Sequence, residues 1–214
     1  MKIGVLGTGE VGRTLGSGFV KLGHSVTIGS RSPDSPALVE WNAKNGGAAH
    51  SGTFAEAATY GELVILATLW TGTENALRLA QPSNLAGKIV IDTTNPLDFS
   101  HGFPPSLLIG HSDSAGEQVQ RWLPGSHVVK AFNLVGNAHM VHPEFSGGPP
   151  DMFIAGNDTK AKETVAALLK DFGWSVIVLG GIENSRILEP AALLWIVTAA
   201  KLGSWDLAFK LLRK

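Results

Sequence analysis

The chain contains no cysteine, which excludes disulfides and thiol chemistry. It lacks an excess of charge of either sign: 17 basic residues stand against 18 acidic ones. Nothing therefore points to nucleic acid or an anionic membrane surface as a partner. Long apolar runs are missing too. The longest, Pro190–Ala200, is too short to cross a bilayer. No leader-like segment stands ahead of the first predicted strand. There is no internal repeat, no charge block and no linker between domains of ordinary size. The expectation is a cytoplasmic protein. Its 44% hydrophobic content supports a real core in 214 residues.

What is present begins at the first residue. Met1–Leu6 reads as a buried strand and runs into Gly7-Thr8-Gly9-Glu10-Val11-Gly12. Val11, Leu15, Phe19 and Leu22 follow at helical spacing, and Gly23 is a stop signal. His24–Gly29 reads as the next strand. A G-x-G-x-x-G turn inside a βαβ unit of about 30 residues is the context of a dinucleotide site. Gly7 suits the tight turn, Gly9 lets backbone approach a pyrophosphate, and Gly12 lets the helix pack near the sheet. The helix start then offers free N–H groups to phosphate.

The end of the second strand selects the nucleotide. An NAD site usually carries Asp or Glu about 20 residues on, for the ribose 2′-hydroxyl. Here the place holds Ser30-Arg31-Ser32, and no acid appears before Asp34. A guanidinium and two hydroxyls suit a 2′-phosphate. The prediction is NADP(H).

Further along, strands and helices alternate. Helices are expected over Pro36–Gly46, Phe54–Tyr60 and Thr73–Ala80. Buried strands are expected over Glu62–Thr68 and Lys88–Asp92. A short strand or turn falls at Ser51–Phe54. This order predicts an α/β fold: a doubly wound parallel sheet, Rossmann-like, with a C-terminal helical extension. Ligands lie outside the carboxyl ends of such strands. That adds Ala67, Thr68, Leu69 and Trp70, in a loop, and Thr94, Asn95 and Pro96 as candidate cofactor contacts. Residues 97–117 read as a long irregular flap, with Ser114–Glu117 as a capping box opening a helix to about Leu123. His127–Phe132 is another strand, and its exit carries Asn133 and Asn137, able to orient a carboxamide or second ring. His139, His142 and Glu144 lack a third ligand at metal spacing, so no metal is expected.

Asp151–Gly156 and Trp174–Leu179 are strands flanking a helix that ends near Phe172. The tail predicts a helix over Ile182–Lys201 and another over Trp205–Leu212. The first is apolar nearly all round, which suggests burial and a homodimer with packed tails. Residues 1–180 would form the NADP-binding domain. Residues 181–214 would form the substrate-side cover and a dimer contact.

Gly7–Gly12, Gly29-Ser30-Arg31, Thr94-Asn95-Pro96-Leu97, Val129–Asn133 and Asn184–Glu189 together resemble the coenzyme F420-dependent NADP oxidoreductases over nearly the full length. The cytosolic domain of the STEAP metalloreductases looks similar too. The resemblance implies a hydride passed between NADP(H) and the deazaflavin F420. The two rings carry that chemistry, so no catalytic side chain is assigned. It also implies that Ser30, Arg31 and Ser32 take the 2′-phosphate. Ala67, Thr68 and Ala131 would flank the nicotinamide, with Asn133, Asn137 and the segment around Arg186 near the second ring. The family carries His-Thr-Ile-Pro where this chain has Phe132-Asn133-Leu134-Val135. A flavin, a quinone or a small carbonyl compound thus stays open as acceptor. A protein that only senses NADP(H) is the reading from another class. It would not need the apolar, loop-covered face that Trp70, Phe132 and residues 97–117 suggest.

Overall fold

The computed structural model describes residues 1–212 and Lys214. Chain order gives β1 (Lys2–Leu6), α1 (Glu10–Lys21), β2 (Ser25–Ser30), α2 (Pro36–Asn45), β3 (Ala49–Thr53), α3 (Phe54–Tyr60) and β4 (Leu63–Leu66). Then come α4 (Trp70–Ala80), β5 (Ile89–Asp92), β6 (Leu97–Asp98), β7 (Ser106–Leu107), α5 (Ala115–Trp122) and β8 (His127–Lys130). The chain closes with β9 (Asp151–Gly156), α6 (Thr159–Asp171), β10 (Ser175–Val178) and α7 (Ser185–Leu202).

Eight strands form one sheet in the order β10-β9-β8-β5-β4-β1-β2-β3. From β3 to β8 all neighbours are parallel. β4 shows why its sequence has no alternation. Leu63 and Ile65 enter the core on one face, with Leu15, Phe19 and Phe172. Val64 and Leu66 enter the core on the other, with Ala57, Leu77 and Val119. Each such side chain contributes about 1.5–3 kcal/mol on burial, and a strand covered on both faces needs apolar residues at every position. The Thr53–Glu56 capping box fixes the start of α3.

Four sequence expectations change. The sheet is not wholly parallel: β9 runs antiparallel to β8, and β10 runs parallel to β9. No α-helix lies between β8 and β9 to carry a parallel crossover, whereas α6 supplies one between β9 and β10. Residues 97–117 are not one irregular flap, because β6 and β7 pair as a small antiparallel hairpin. Leu69–Gly72 is not a loop throughout, since α4 starts at Trp70. Finally, Trp205–Leu212 is not a helix. Gly203, in the left-handed region at φ 65, ends α7, and the tail lies along the start of β9. Asp151 N–H donates to Phe209 O at 2.9 Å, and Leu211 N–H donates to the Asp151 carboxylate at 2.6 Å.

Helix α7 also departs from full burial. Leu188, Ala192, Trp195 and Ala199 face the protein, while Ile187, Leu194 and Leu202 are more than half exposed. Because β9 and β10 run against the other strands, α7 starts toward the amino edge of the sheet and climbs to the carboxyl edge. There the Leu188 carbonyl meets Asn133, and Trp195 packs near Gly136.

Candidate active site

At the carboxyl edge Gly7 N–H donates to Gly29 O at 3.2 Å and holds β1 against β2. Gly7 has φ 127, and a Cβ there would stand 2.1 Å from Ala67 O. A Cβ on Gly12 would stand 2.2 Å from Gly7 O, so α1 approaches the sheet only because that atom is missing. Gly9 differs: a Cβ there would meet nothing within 4 Å. The protein leaves that space open, which is where a pyrophosphate fits. Gly9 is the N-cap of α1 and no side chain caps it, so the first-turn N–H groups stay free for an anion. Arg13 donates to Thr8 O at 3.0 Å and braces the turn, a role the sequence reading did not assign. Glu10 and Val11 form the first turn of α1, Glu10 exposed and Val11 half-buried.

Ser30 is buried, and its Oγ accepts from Ser32 N–H at 2.8 Å. Arg31 and Ser32 are exposed. None of the ion pairs among the described residues involves Arg31. Its guanidinium is thus uncommitted at the carboxyl end of β2.

The remaining predicted contacts are mostly tied to neighbouring protein groups. Thr68 Oγ1 lies 2.8 Å from Thr73 Oγ1. Ala67 is half-buried, and Leu69 stands exposed on the rim. Trp70 is half-buried, its ring stacked on Trp122 of α5 with centroids 5.5 Å apart. Thr94 gives both its N–H and its hydroxyl to Asp92 Oδ1, at 2.9 and 2.7 Å. Asn95 Nδ2 donates to Asn133 O at 2.9 Å. Pro96 is buried, and its carbonyl accepts from Leu108 N–H. Ala131 is buried and donates to Asp92 O.

Phe132, in the left-handed region at φ 63, turns the chain out of β8. Its ring faces Phe172 in the core rather than the ligand side. Asn133 Nδ2 reaches both Asn95 Oδ1 at 3.1 Å and Leu188 O at 2.9 Å, while Asn133 Oδ1 is buried with no partner. Asn137 is half-buried in a short turn. Arg186, in the first turn of α7, is held by a two-point contact with Glu117. That contact, ahead of the opposing burial, keeps the Glu117 carboxyl below its ordinary value. His139 lies 2.8 Å from Asp206, and His142 packs on Phe172. Among the described residues no three acidic or histidine side chains are grouped to hold a metal.

Beneath the loop lies a cluster that the sequence reading missed. Lys130 is fully buried, with Nζ 2.7 Å from Asp92 Oδ2, 2.9 Å from Glu189 Oε1 and 2.8 Å from Thr94 O. The aliphatic setting of β8 gave one signal: a lysine closing a buried strand needs carboxylate partners.

The glycine turn, the uncapped helix and the free arginine define a dinucleotide-binding α/β protein. Comparison narrows the class. A family profile described as NADP oxidoreductase, coenzyme F420-dependent, matches residues 2–96. The crystal structure of a protein from Arthrobacter sp. FB24, provisionally named an F420-dependent NADP-reductase, is 44% identical. It covers 100% of both chains with a TM-score of 0.94. The rat metalloreductase STEAP3 is 28% identical over 197 residues, spanning 90% of this chain but 36% of its own length. A reductive aminase of Aspergillus terreus, solved with NADPH and ethyl-5-oxohexanoate, is 20% identical. It covers 94% of this chain and 62% of its own, with a TM-score of 0.68, and shows a shared fold alone. The chain belongs to the family of coenzyme F420-dependent NADP oxidoreductases. Among the described residues no helix is long and apolar enough to cross a membrane.

Proposed function

We propose that the chain passes a hydride between NADP(H) and coenzyme F420, the deazaflavin lying against the nicotinamide at the carboxyl edge of the sheet. The observation that carries the reading is the mutual satisfaction of the polar groups there. Thr94, Asp92 and Lys130 bond to one another and Asn95 bonds to Asn133, so none is free to act as a general acid. Hydride exchange between two ring cofactors needs orientation and exclusion of water rather than a side-chain acid. Reduction of a carbonyl does need a proton donor at oxygen.

In this reading the turn Gly7–Gly12 cradles the pyrophosphate, and Ser30, Arg31 and Ser32 hold the 2′-phosphate. Ala67, Thr68, Leu69, Thr94, Asn95, Pro96 and Ala131 surround the nicotinamide. Asn133, its buried amide bonded to Asn95 and Leu188, orients the rings through Asn95, and Asn137 faces the second. Residues 181–214 cover that side. The apolar stripe Ile187, Leu194 and Leu202 supports a homodimer, which a dimeric mass in solution at micromolar concentration would establish and a monomeric one would refute.

The test mixes the protein with NADPH and, separately, F420, FMN, FAD and a quinone, following the NADPH absorbance band. Turnover with F420 above the other acceptors is expected. Turnover with another acceptor alone would move the assignment to that compound. Tight NADPH binding without oxidation by any of them would favour a sensing role.

A further inference from the structure

We propose that Lys130 is a positioning residue for the reactive end of the nucleotide, acting through the Thr94 peptide. The inference rests on the NADP(H) reading above. Lys130 itself is 0% exposed and cannot touch a ligand. What it touches is the exit of β5. Its ammonium donates to Thr94 O, while Asp92 Oδ1 takes the Thr94 N–H and hydroxyl. Every polar atom of Thr94 is thereby held from below, and the next residue, Asn95, is locked to Asn133.

The same ammonium reaches Glu189 on α7, whose carboxylate also accepts the Ala115 and Gly116 N–H groups, each at 2.9 Å. One buried charge thus ties β5, β8, α5 and α7 to a single peptide. The fit is close. A Cβ on Gly116 would stand 3.2 Å from Lys130 Cε and 2.3 Å from Ser185 Oγ.

Stability does not explain this arrangement. Two carboxylates share one ammonium, and removing such charges from water costs as much as their attraction returns. Apolar replacements of buried ion clusters are often as stable or more so. The best-attested use of such a cluster is to fix register. Here the register is that of the Thr94–Asn95 peptide against the strand that leads to Asn133 and the helix that carries Leu188. Burial opposes the Lys130 charge, but the Asp92 and Glu189 carboxylates outweigh it and hold the ammonium above its ordinary value. The bond to Thr94 O therefore persists across neutral pH.

The experiment compares two ligands in the full chain. NADPH engages both ends of the site, whereas 2′,5′-ADP engages only the adenine end. Lys130→Met and the near-isosteric Glu189→Gln are titrated with each, and the emission of bound NADPH is recorded. The expected result is an NADPH affinity about tenfold weaker, altered nicotinamide emission and an unchanged affinity for 2′,5′-ADP. Should Lys130→Met fail to fold, Glu189→Gln decides, with the same selective loss expected. Equal weakening of both ligands, or a lowered melting temperature with both affinities unchanged, would overturn the proposal. Failure of the unaltered protein to bind either ligand would instead strike the nucleotide reading, and this proposal with it.

Discussion

Asn133 and Asn95 hold each other by two bonds. Asn133 Nδ2 donates to Asn95 Oδ1 at 3.1 Å, and Asn95 Nδ2 donates to Asn133 O at 2.9 Å. The first of these donors also serves Leu188 O. Asn133→Asp keeps the shape but turns that donor into an acceptor facing two other acceptors. Stability should fall by roughly 1–3 kcal/mol, the cost of leaving buried groups unpaired, in a denaturant melt. An unchanged midpoint would show that the amide is oriented the other way.

Arg31 should decide nucleotide choice. Its exposed guanidinium is free of ion pairs among the described residues. Arg31→Ala removes a charge-assisted contact worth about 1.5–3 kcal/mol. NADPH affinity should drop by roughly ten- to a hundredfold, with NADH affinity nearly unmoved. Equal losses for the two nucleotides in fluorescence titration would remove the 2′-phosphate assignment.

Two glycines of the turn should separate fold from binding. Gly12→Ala forces a Cβ to 2.2 Å from Gly7 O, whereas Gly9→Ala meets no protein atom within 4 Å. Gly12→Ala should lose about 1–3 kcal/mol through overpacking and bind poorly. Gly9→Ala should melt like the unaltered protein yet bind NADPH weakly, because the methyl occupies phosphate space. Normal NADPH binding by Gly9→Ala would place the pyrophosphate elsewhere.

The Glu117–Arg186 contact should appear in the acid limb of stability. The bond from Arg186, ahead of burial, holds the Glu117 carboxyl below the ordinary glutamate value. A carboxyl depressed in the folded state stabilises fully above its unfolded value. That contribution is lost as pH falls from about that value through the lowered one. Glu117→Gln should be less stable than the unaltered protein at neutral pH and lose less on acidification below about pH 4.5. Parallel acid-stability curves for the two would contradict the pairing.

Trp70 tests a boundary of the site. It stacks on Trp122 between α4 and α5. Trp70→Ala should cost about 2 kcal/mol, roughly half the loss for a fully buried tryptophan, while NADPH affinity in the folded variant stays the same. A selective loss of NADPH affinity would return Trp70 to the cofactor contacts.

The glycine turn and its geometry were legible because their signals are local. Gly7, Gly9, Gly12 and Arg31 act within one βαβ unit, where spacing along the chain maps directly onto space. The central strands were legible for a related reason: burial on both faces leaves no polar residue inside Leu63–Leu66. The cluster beneath the exit of β5 was not. Lys130, Asp92 and Glu189 come from three distant segments, and nothing in their spacing shows that they meet. The direction of β9 depended on the lack of a crossover helix, which a strand's own residues do not encode. The tail misled through periodicity. Leu207, Phe209 and Leu211 fit a helix loosely, but they also alternate as an extended segment does. The backbone bonds to Asp151 settle the matter in favour of the latter.

The reversal of the last two strands has an architectural outcome. Had β10 run in the common direction, it would have ended at the carboxyl rim and the helix after it would have carried the chain away from that rim. Instead α7 carries the chain to the carboxyl rim, where Trp195 donates to Leu207 O and the Asp151 carboxylate accepts from Leu211 N–H. The last residues thus serve as an added edge to β9, and cutting the chain before Phe209 would leave the Asp151 N–H without its acceptor.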